Sequence, residues 1–418
     1  MPSVEAPKNQ GLGARRAALQ LLDSVLRRGQ TLEGATAAIR NLSPPDRALA
    51  VAIAGEALRR LPDLDALIDS ATRQRLPDDS KARMVLRLAL AQKIGLGTPE
   101  HALVATALPL VDGGPRRLVH GVLGTLLRRG VPSMDAPSLP PAVGERWRTA
   151  WGDDVVDAGR RQIAKRPPLD LTFADDDGAS AFADGQSFAP RHVRIDSSSV
   201  TDLPGFESGR WWVQDLAASL PARLIPSGAR DVLDLCAAPG GKTMQLAAAG
   251  HKVTAVDSSE SRLGRLRENL QRTHLEAQLI TADALKWHPK RDFGAILLDA
   301  PCSATGTFRR HPEVLYRARP RIIAEGAELQ GQLLDRASGW LKPGGVLVYA
   351  VCSLEPQEGE EVVRAFLDRN AAYRLDPPAN LPDFTPVAPE GWVRILPGLL
   401  EEAGGLDGFF MARLVRDR

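Results

Sequence analysis

Apolar residues change their spacing along this chain, and the change divides it. Up to residue 130 they recur at helical intervals. Ala18, Leu21, Leu22, Val25 and Leu26 stand at i, i+3, i+4, i+7 and i+8, one face of an amphipathic helix. Leu118, Val119, Val122, Leu123 and Leu126 form a second such face, closed by Arg128-Arg129-Gly130. Ser43-Pro44 reads as a helix cap followed by proline at the first helical position, where its missing N–H is not needed, and Thr98-Pro99 repeats the pattern. The spacing predicts an all-α helical bundle over residues 1–130. Residues 131–141, rich in proline and serine, read as a linker.

The next stretch predicts a helix over 145–165 and strands over 169–174 and 191–195, a small α+β subdomain spanning 142–225. From residue 226 to 418 the pattern alternates. Apolar runs at 231–235, 253–256, 278–280, 294–298 and 345–350 are separated by helix-like segments. Short apolar runs alternating with helices predict a parallel, doubly wound α/β sheet, in which ligands bind at the carboxyl ends of the strands.

Those strand ends carry the candidate chemistry. After Asp231–Leu235 comes the loop Cys236, Ala237, Ala238, Pro239, Gly240, Gly241, Lys242, Thr243. Asp257 ends the next run, 23 residues beyond Asp234. An acidic residue at about 20 residues' distance reads a ribose hydroxyl in dinucleotide folds. Asp283 follows the third run and Asp299 ends the fourth. Gly241-Lys242-Thr243 imitates a phosphate-binding P-loop, but Cys236 stands where that motif requires its first glycine. The G-x-G-x-x-G of dinucleotide sites is missing too. A nucleoside without a pyrophosphate fits this loop better, and S-adenosyl-L-methionine is the common one.

The chain has three cysteines, all in such loops: Cys236, Cys302 in Ala-Pro-Cys-Ser and Cys352 in Ala-Val-Cys-Ser. Beside a methyl donor a thiolate has a specific use. Pyrimidine C5 is a poor nucleophile, and a thiolate added at C6 turns C5 into an enamine-like carbon that accepts a methyl group. A second thiol can assist the release that follows. Cys236 reads as filler of its loop. A metal site is not expected, because His311 is the only imidazole near the thiols in sequence.

Composition sharpens the picture modestly. Hydrophobic residues at 44% and charged residues at 25% are those of a globular chain of about two or three domains. Residues 1–130 hold 19 Lys/Arg against 12 Asp/Glu, and the remainder 34 against 39, so a basic module precedes an acidic one. Five Arg-Arg pairs lie in that basic part. Such a module suits nucleic acid, and equally a set of solvated helix faces. The leading residues have no apolar core of a signal peptide, and no run is long enough to span a membrane. With few cysteines, a cytoplasmic protein with reduced thiols is expected.

The motifs from Trp212 to Phe410 resemble the RNA cytosine-C5 methyltransferase family. The segments that carry the likeness are Trp212-Val213-Gln214-Asp215, Cys236–Thr243, Asp299–Gly306, Arg309-Arg310-His311-Pro312-Glu313, Leu341–Gly345, Val351–Glu361 and Asp407-Gly408-Phe409-Phe410. The resemblance implies that Cys352 is the covalent nucleophile and Cys302 promotes product release. It implies that the 236–242 loop, Asp257, Arg262, Asp283 and Asp299 hold S-adenosyl-L-methionine, and that Asp299 with Lys242 orients the base. Arg47-Ala48-Leu49-Ala50, His101-Ala102 and the helix ending Leu127-Arg128-Arg129 resemble the NusB-like RNA-binding domain. That pairing is similar to bacterial 16S rRNA methyltransferases. It implies a monomer acting on 16S ribosomal RNA before the subunit is fully assembled. Another RNA such as tRNA, DNA, or a non-catalytic role as an rRNA-binding assembly factor are the alternatives.

Overall fold

The structure, a computed structural model, describes residues 11–196, 200–379 and 381–418. Residues 1–10, assigned above to the helical domain, lie outside the described residues. The chain forms two compact units, Met1–Arg166 with Phe308–Arg317, and Pro167–Thr307 with Ala318–Arg418.

The first unit is helical. Its helices are α1 (Leu12–Leu26), α2 (Leu32–Ala35), α3 (Pro44–Arg59), α4 (Leu61–Ser70), α5 (Lys81–Leu96), α6 (Glu100–Ala107), α7 (Gly113–Arg129), α8 (Pro141–Trp151) and α9 (Asp153–Ala164). The apolar face of α1 joins one core with Ile53, Ala54 and Ala57 of α3 and Val119, Val122, Leu123 and Leu126 of α7. Helix α5 is buried without a break from Ala82 to Gln92, which marks it as the central helix. Its two arginines reach that core only because they are paired. Arg87 forks onto Asp65 at 2.7 and 2.8 Å, and Arg83 hydrogen-bonds Asp69 and forms an ion pair with Asp65. Ser43 caps α3 by accepting from the Asp46 N–H at 3.3 Å, with Pro44 first in the helix. The second such site differs: Pro99 is itself the cap of α6 and no side chain caps that end.

The grouping after residue 130 also differs from the one expected. The helix predicted over 145–165 is two helices, broken at Gly152, whose φ of 88° lies in the left-handed region where glycine is least strained. Both belong to the helical unit, so residues 142–225 do not form one subdomain. The stretch read as a linker is anchored: Ser138 donates from its N–H and its hydroxyl to Asp63 at 2.7 and 2.8 Å. Phe308–Arg317, distant in sequence, completes this unit. Phe308 meets the buried Trp147 edge-on at 5.2 Å, and Glu313 accepts from the Leu32 N–H at the start of α2 at 3.0 Å. Tyr316 donates to the Leu58 carbonyl at 2.8 Å.

The second unit holds two sheets. Strands β1 (Leu169–Phe173), β2 (His192–Ile195) and β3 (Trp211–Val213) form an antiparallel sheet in the order β2-β1-β3. Asp170 of β1 is fully buried. Arg194 forks onto it at 2.6 and 2.8 Å, and it accepts from the Leu216 N–H at the start of α10 (Leu216–Arg223). Burial alone would raise its pKa, but the Arg194 and His192 contacts outweigh that and hold the carboxyl well below the usual range.

The main chain of elements continues with β4 (Asp231–Leu235), α11 (Gly241–Ala248), β5 (Lys252–Asp257), α12 (Glu260–Thr273), β6 (Gln278–Thr281) and β7 (Phe293–Asp299). The short helix α13 (Val314–Arg317) lies in the segment given to the helical unit. Then come α14 (Pro320–Ser338), β8 (Leu341–Val351), α15 (Glu360–Arg369), β9 (Tyr373–Leu375), β10 (Val393–Ile395) and β11 (Phe409–Arg416). Strands β8-β7-β4-β5-β6 are parallel, as the alternating pattern predicts. Beyond β8, however, β11 pairs antiparallel, with β10 and β9 antiparallel to it, so the sheet is mixed. Alternation with helices carries no signal for those three strands, because no α-helix among the described residues separates β9, β10 and β11.

Candidate active site

Because β8, β7, β4 and β5 are adjacent and parallel, their carboxyl-terminal loops share one edge of the sheet. Every residue proposed from the sequence for the reaction or the cofactor lies at the last position of one of these strands, on the loop that follows, in the first turn of the next helix, or on the loop after β6.

The loop after β4 is tightly turned. Cys236 has a φ of 59°, the Ala238–Pro239 bond is cis, and Gly240 has a φ of 109°. A Cβ on Gly240 would lie 2.1 Å from Leu266 of α12, and one on Gly241 would lie 3.2 Å from Gln214. These glycines therefore admit neighbouring side chains. Asp257, 3% exposed, holds the loop from the next strand. It accepts from the Ala238 N–H at 3.1 Å and from the Ser259 N–H at 2.9 Å. A carboxylate has about four acceptor sites, so it keeps capacity for a ligand hydroxyl. Arg262 donates to the Ala238 carbonyl and approaches Asp257 at 3.6 Å, so it braces the loop. Asp283 lies past the end of β6, partly exposed, and accepts from the Leu285 N–H at 3.0 Å.

Lys242, in the first turn of α11, donates to Asp299 at 2.7 Å across the β4–β7 pair and lies 5.2 Å over the ring of Phe409. Asp234 is buried within β4. Thr243 donates to one of its oxygens at 2.5 Å, and the other has no hydrogen-bond partner. Burial pushes its pKa up to about 7, with the Thr243 bond opposing.

The two Cys-Ser loops meet. Cys302 follows β7 by three residues, Cys352 follows β8 directly, and their sulfurs are 3.6 Å apart. The Gly306 N–H donates to the Cys352 carbonyl at 3.0 Å. A Cβ on Gly306 would lie 2.0 Å from the Gly408 carbonyl, so glycine at 306 lets the chain just before β11 close over this loop. The Cys352 neighbour and burial together push the Cys302 thiol well above its ordinary pKa, and the negative charge of Glu358 adds to this. Either thiol can donate to the other. Cys236 is not part of this pair: half-buried, it packs against the same core as Cys302, and burial raises its pKa to about 12.

Comparison with known proteins gives the family. Residues 222–415 match the family model described as 16S rRNA methyltransferase RsmB/F, and residues 12–128 match the NusB family. Ribosomal RNA small subunit methyltransferase B of Erwinia tasmaniensis is 34% identical, over 96% of this chain and 98% of its own length. Its counterpart in Xylella fastidiosa is 35% identical, over 98% and 99%. The chain belongs to this family. It is an rRNA methyltransferase, and its cofactor is S-adenosyl-L-methionine. A methyltransferase homologue from Pyrococcus horikoshii is similar in structure, with 26% identity and a TM-score of 0.56 over 70% of this chain and 98% of the other.

The methyltransferase's donor set suits that cofactor. Carboxylates on four neighbouring strand ends can meet hydroxyls, an amino group and a cationic sulfonium, and Asp234 keeps one buried oxygen free of partners. No helix among the described residues is long and apolar enough to cross a membrane. Sequence reasoning missed Glu358 and Gln330, both fully buried behind the thiols. Glu358 lies inside the motif Val351–Glu361, where Glu355 and Glu360 are buried as well, and its bonds to Ser303 and Ser353 distinguish it from them.

Proposed function

We propose that this methyltransferase transfers a methyl group to C5 of a cytosine in 16S ribosomal RNA through a covalent adduct between Cys352 and C6. The observation that carries this is the pair of sulfurs 3.6 Å apart, on strand ends beside the nucleotide loop. An assembly factor that only bound RNA would have no use for such a pair.

The loop from Cys236 to Lys242, with Asp257, Asp283 and Asp299, holds the cofactor, and Arg262 keeps the loop in place. Bound there, S-adenosyl-L-methionine supplies an electrophilic methyl group. The target base must leave its stack to present C6 to a thiolate, so opened or single-stranded RNA is the substrate. Asp299, paired with Lys242, faces the base and orients it. Cys352 Sγ adds to C6, and the C5=C6 electron pair makes C5 nucleophilic. After C5 is methylated, a base takes the C5 proton. That electron pair closes the C5=C6 bond again, and the C6–S pair returns to Cys352. The neighbouring Cys302 thiol hydrogen-bonds the departing sulfur and promotes release. The basic helical unit grips backbone phosphates. Reduced thiols are required throughout, as a cytoplasmic protein would provide.

Bisulfite mapping of 16S rRNA from cells with and without this chain tests the reading. One methylated cytosine lost on deletion and restored by the intact chain is expected, and an unchanged map would overturn it.

A further inference from the structure

Glu358 is fully buried, yet the reaction as derived gives it no role. Four donors converge on its carboxylate. The Ser303 N–H donates to one oxygen at 2.8 Å, and Gln330 Nε2 donates to the same oxygen at 3.1 Å. The Ser353 hydroxyl donates to the other at 2.6 Å, and the Ser303 hydroxyl joins it there. An ionised carboxylate offers about four acceptor sites, so the set matches its full capacity.

The donors are not arbitrary residues. Ser303 follows Cys302 and Ser353 follows Cys352, so one carboxylate joins the two residues next to the two thiols. Gln330 adds a third tie by donating to the Pro301 carbonyl at 2.9 Å, on the other side of Cys302. Glu358 itself is fixed from β8, where the Tyr349 hydroxyl donates its one proton to the Glu358 carbonyl at 2.6 Å and lies 3.2 Å from Gln330 Oε1. The clamp therefore spans both Cys-Ser loops, α14 and β8.

We infer that Glu358 is a positioning residue that sets the spacing of the two thiols, and so sets how fast the adduct on Cys352 is released. The inference rests on the covalent reading above. The bond between the sulfurs depends on distance, and sulfur is a weak donor and acceptor. A small loosening of either loop removes it while leaving Cys352 free to attack.

The test is the partition between trapped adduct and turnover, measured on the full chain with its RNA substrate and S-adenosyl-L-methionine. Adduct is read as the denaturation-resistant complex per molecule of cofactor-binding protein, a normalisation that cancels losses from misfolding. Glu358→Gln keeps the size of the side chain but offers one acceptor oxygen in place of two. Turnover should fall about tenfold or more, as small displacements at reacting groups do, while standing adduct rises as it does in Cys302→Ala. Ser303→Ala removes one tie only and should move the partition the same way by less. Adduct and turnover falling together in Glu358→Gln, or a wild-type partition in both variants, would overturn the positioning role. If Cys302→Ala itself gives no adduct, the covalent reading fails and the positioning role falls with it. Adduct in Cys302→Ala with a wild-type partition in Glu358→Gln overturns the positioning role alone.

Discussion

Replacing Cys302 by alanine is the sharpest probe of the paired thiols. The side chain lost is small, so the fold is retained, and what disappears is one donor 3.6 Å from Cys352 Sγ. While Cys352 is a thioether on C6, its sulfur carries no charge for that donor to stabilise. Once Cys352 departs as a thiolate, the donor meets an anion. The bond therefore favours the released state over the adduct. Hydrogen bonds to charged groups contribute about 1.5–3 kcal/mol, and a thiol, as a weak donor, belongs at the low end. At about 1.4 kcal/mol per factor of ten, its loss shifts the balance roughly tenfold toward the adduct. The assay incubates labelled RNA with protein and S-adenosyl-L-methionine, denatures the mixture, and measures the shifted RNA–protein band beside methyl groups released into free RNA. Cys302→Ala should show a strong band and slow turnover. Cys302→Ser, which restores a donor, should lie between it and the wild type. A weak band with near-normal turnover in Cys302→Ala would refute the reasoning. A strong band in Cys352→Ala would show the roles to be reversed.

Three further outcomes follow from the site. Cys352→Ala should abolish both adduct and methyl transfer while cofactor binding, followed by calorimetric titration with S-adenosylhomocysteine, stays within about twofold of wild type, since the cofactor loop does not depend on it. Asp257→Ala removes the acceptor of the Ala238 and Ser259 N–H groups. At about 1 kcal/mol or more for each bond, the same titration should show affinity reduced ten- to a hundredfold. Asp234 carries a pKa raised by burial to about 7, above an unfolded value of about 3.9. Its contribution to stability is thus fully present below about pH 4 and lost as pH rises through about 7. Asp234→Asn should flatten the fall of the melting temperature between pH 5 and 8, and parallel curves for the two proteins would count against the shift.

Several features are legible in the sequence because they depend on neighbours along the chain. The predicted parallel strands, the helical faces of the first domain and the Ser43 cap follow from local spacing, as does the helix that follows β4. The break at Gly152 is not legible, because glycine inside a helical pattern is only mildly disfavoured and the left-handed turn there is a matter of packing. The antiparallel strands β9, β10 and β11 escape for another reason: β-pairing joins residues far apart in sequence. The motif Arg309–Glu313 reads as part of the methyltransferase domain, yet its side chains complete the helical unit.

By itself the sequence determined which residues are chemically able to act: three cysteines, the acids at strand ends, and a lysine at the head of a helix. It also set the strand-loop-helix order that brings each to a loop. Only the tertiary structure decided which of them meet. The thiols of Cys302 and Cys352 lie 50 residues apart in the chain and 3.6 Å apart in space because β7 and β8 are neighbours. Cys236, also in a loop after a strand, stays outside that pair. The physical reason is that local propensity fixes φ and ψ over a few residues, whereas strand order, burial and the meeting of loops are fixed by long-range packing. In this protein the meeting of two of the three thiols belongs to the second kind.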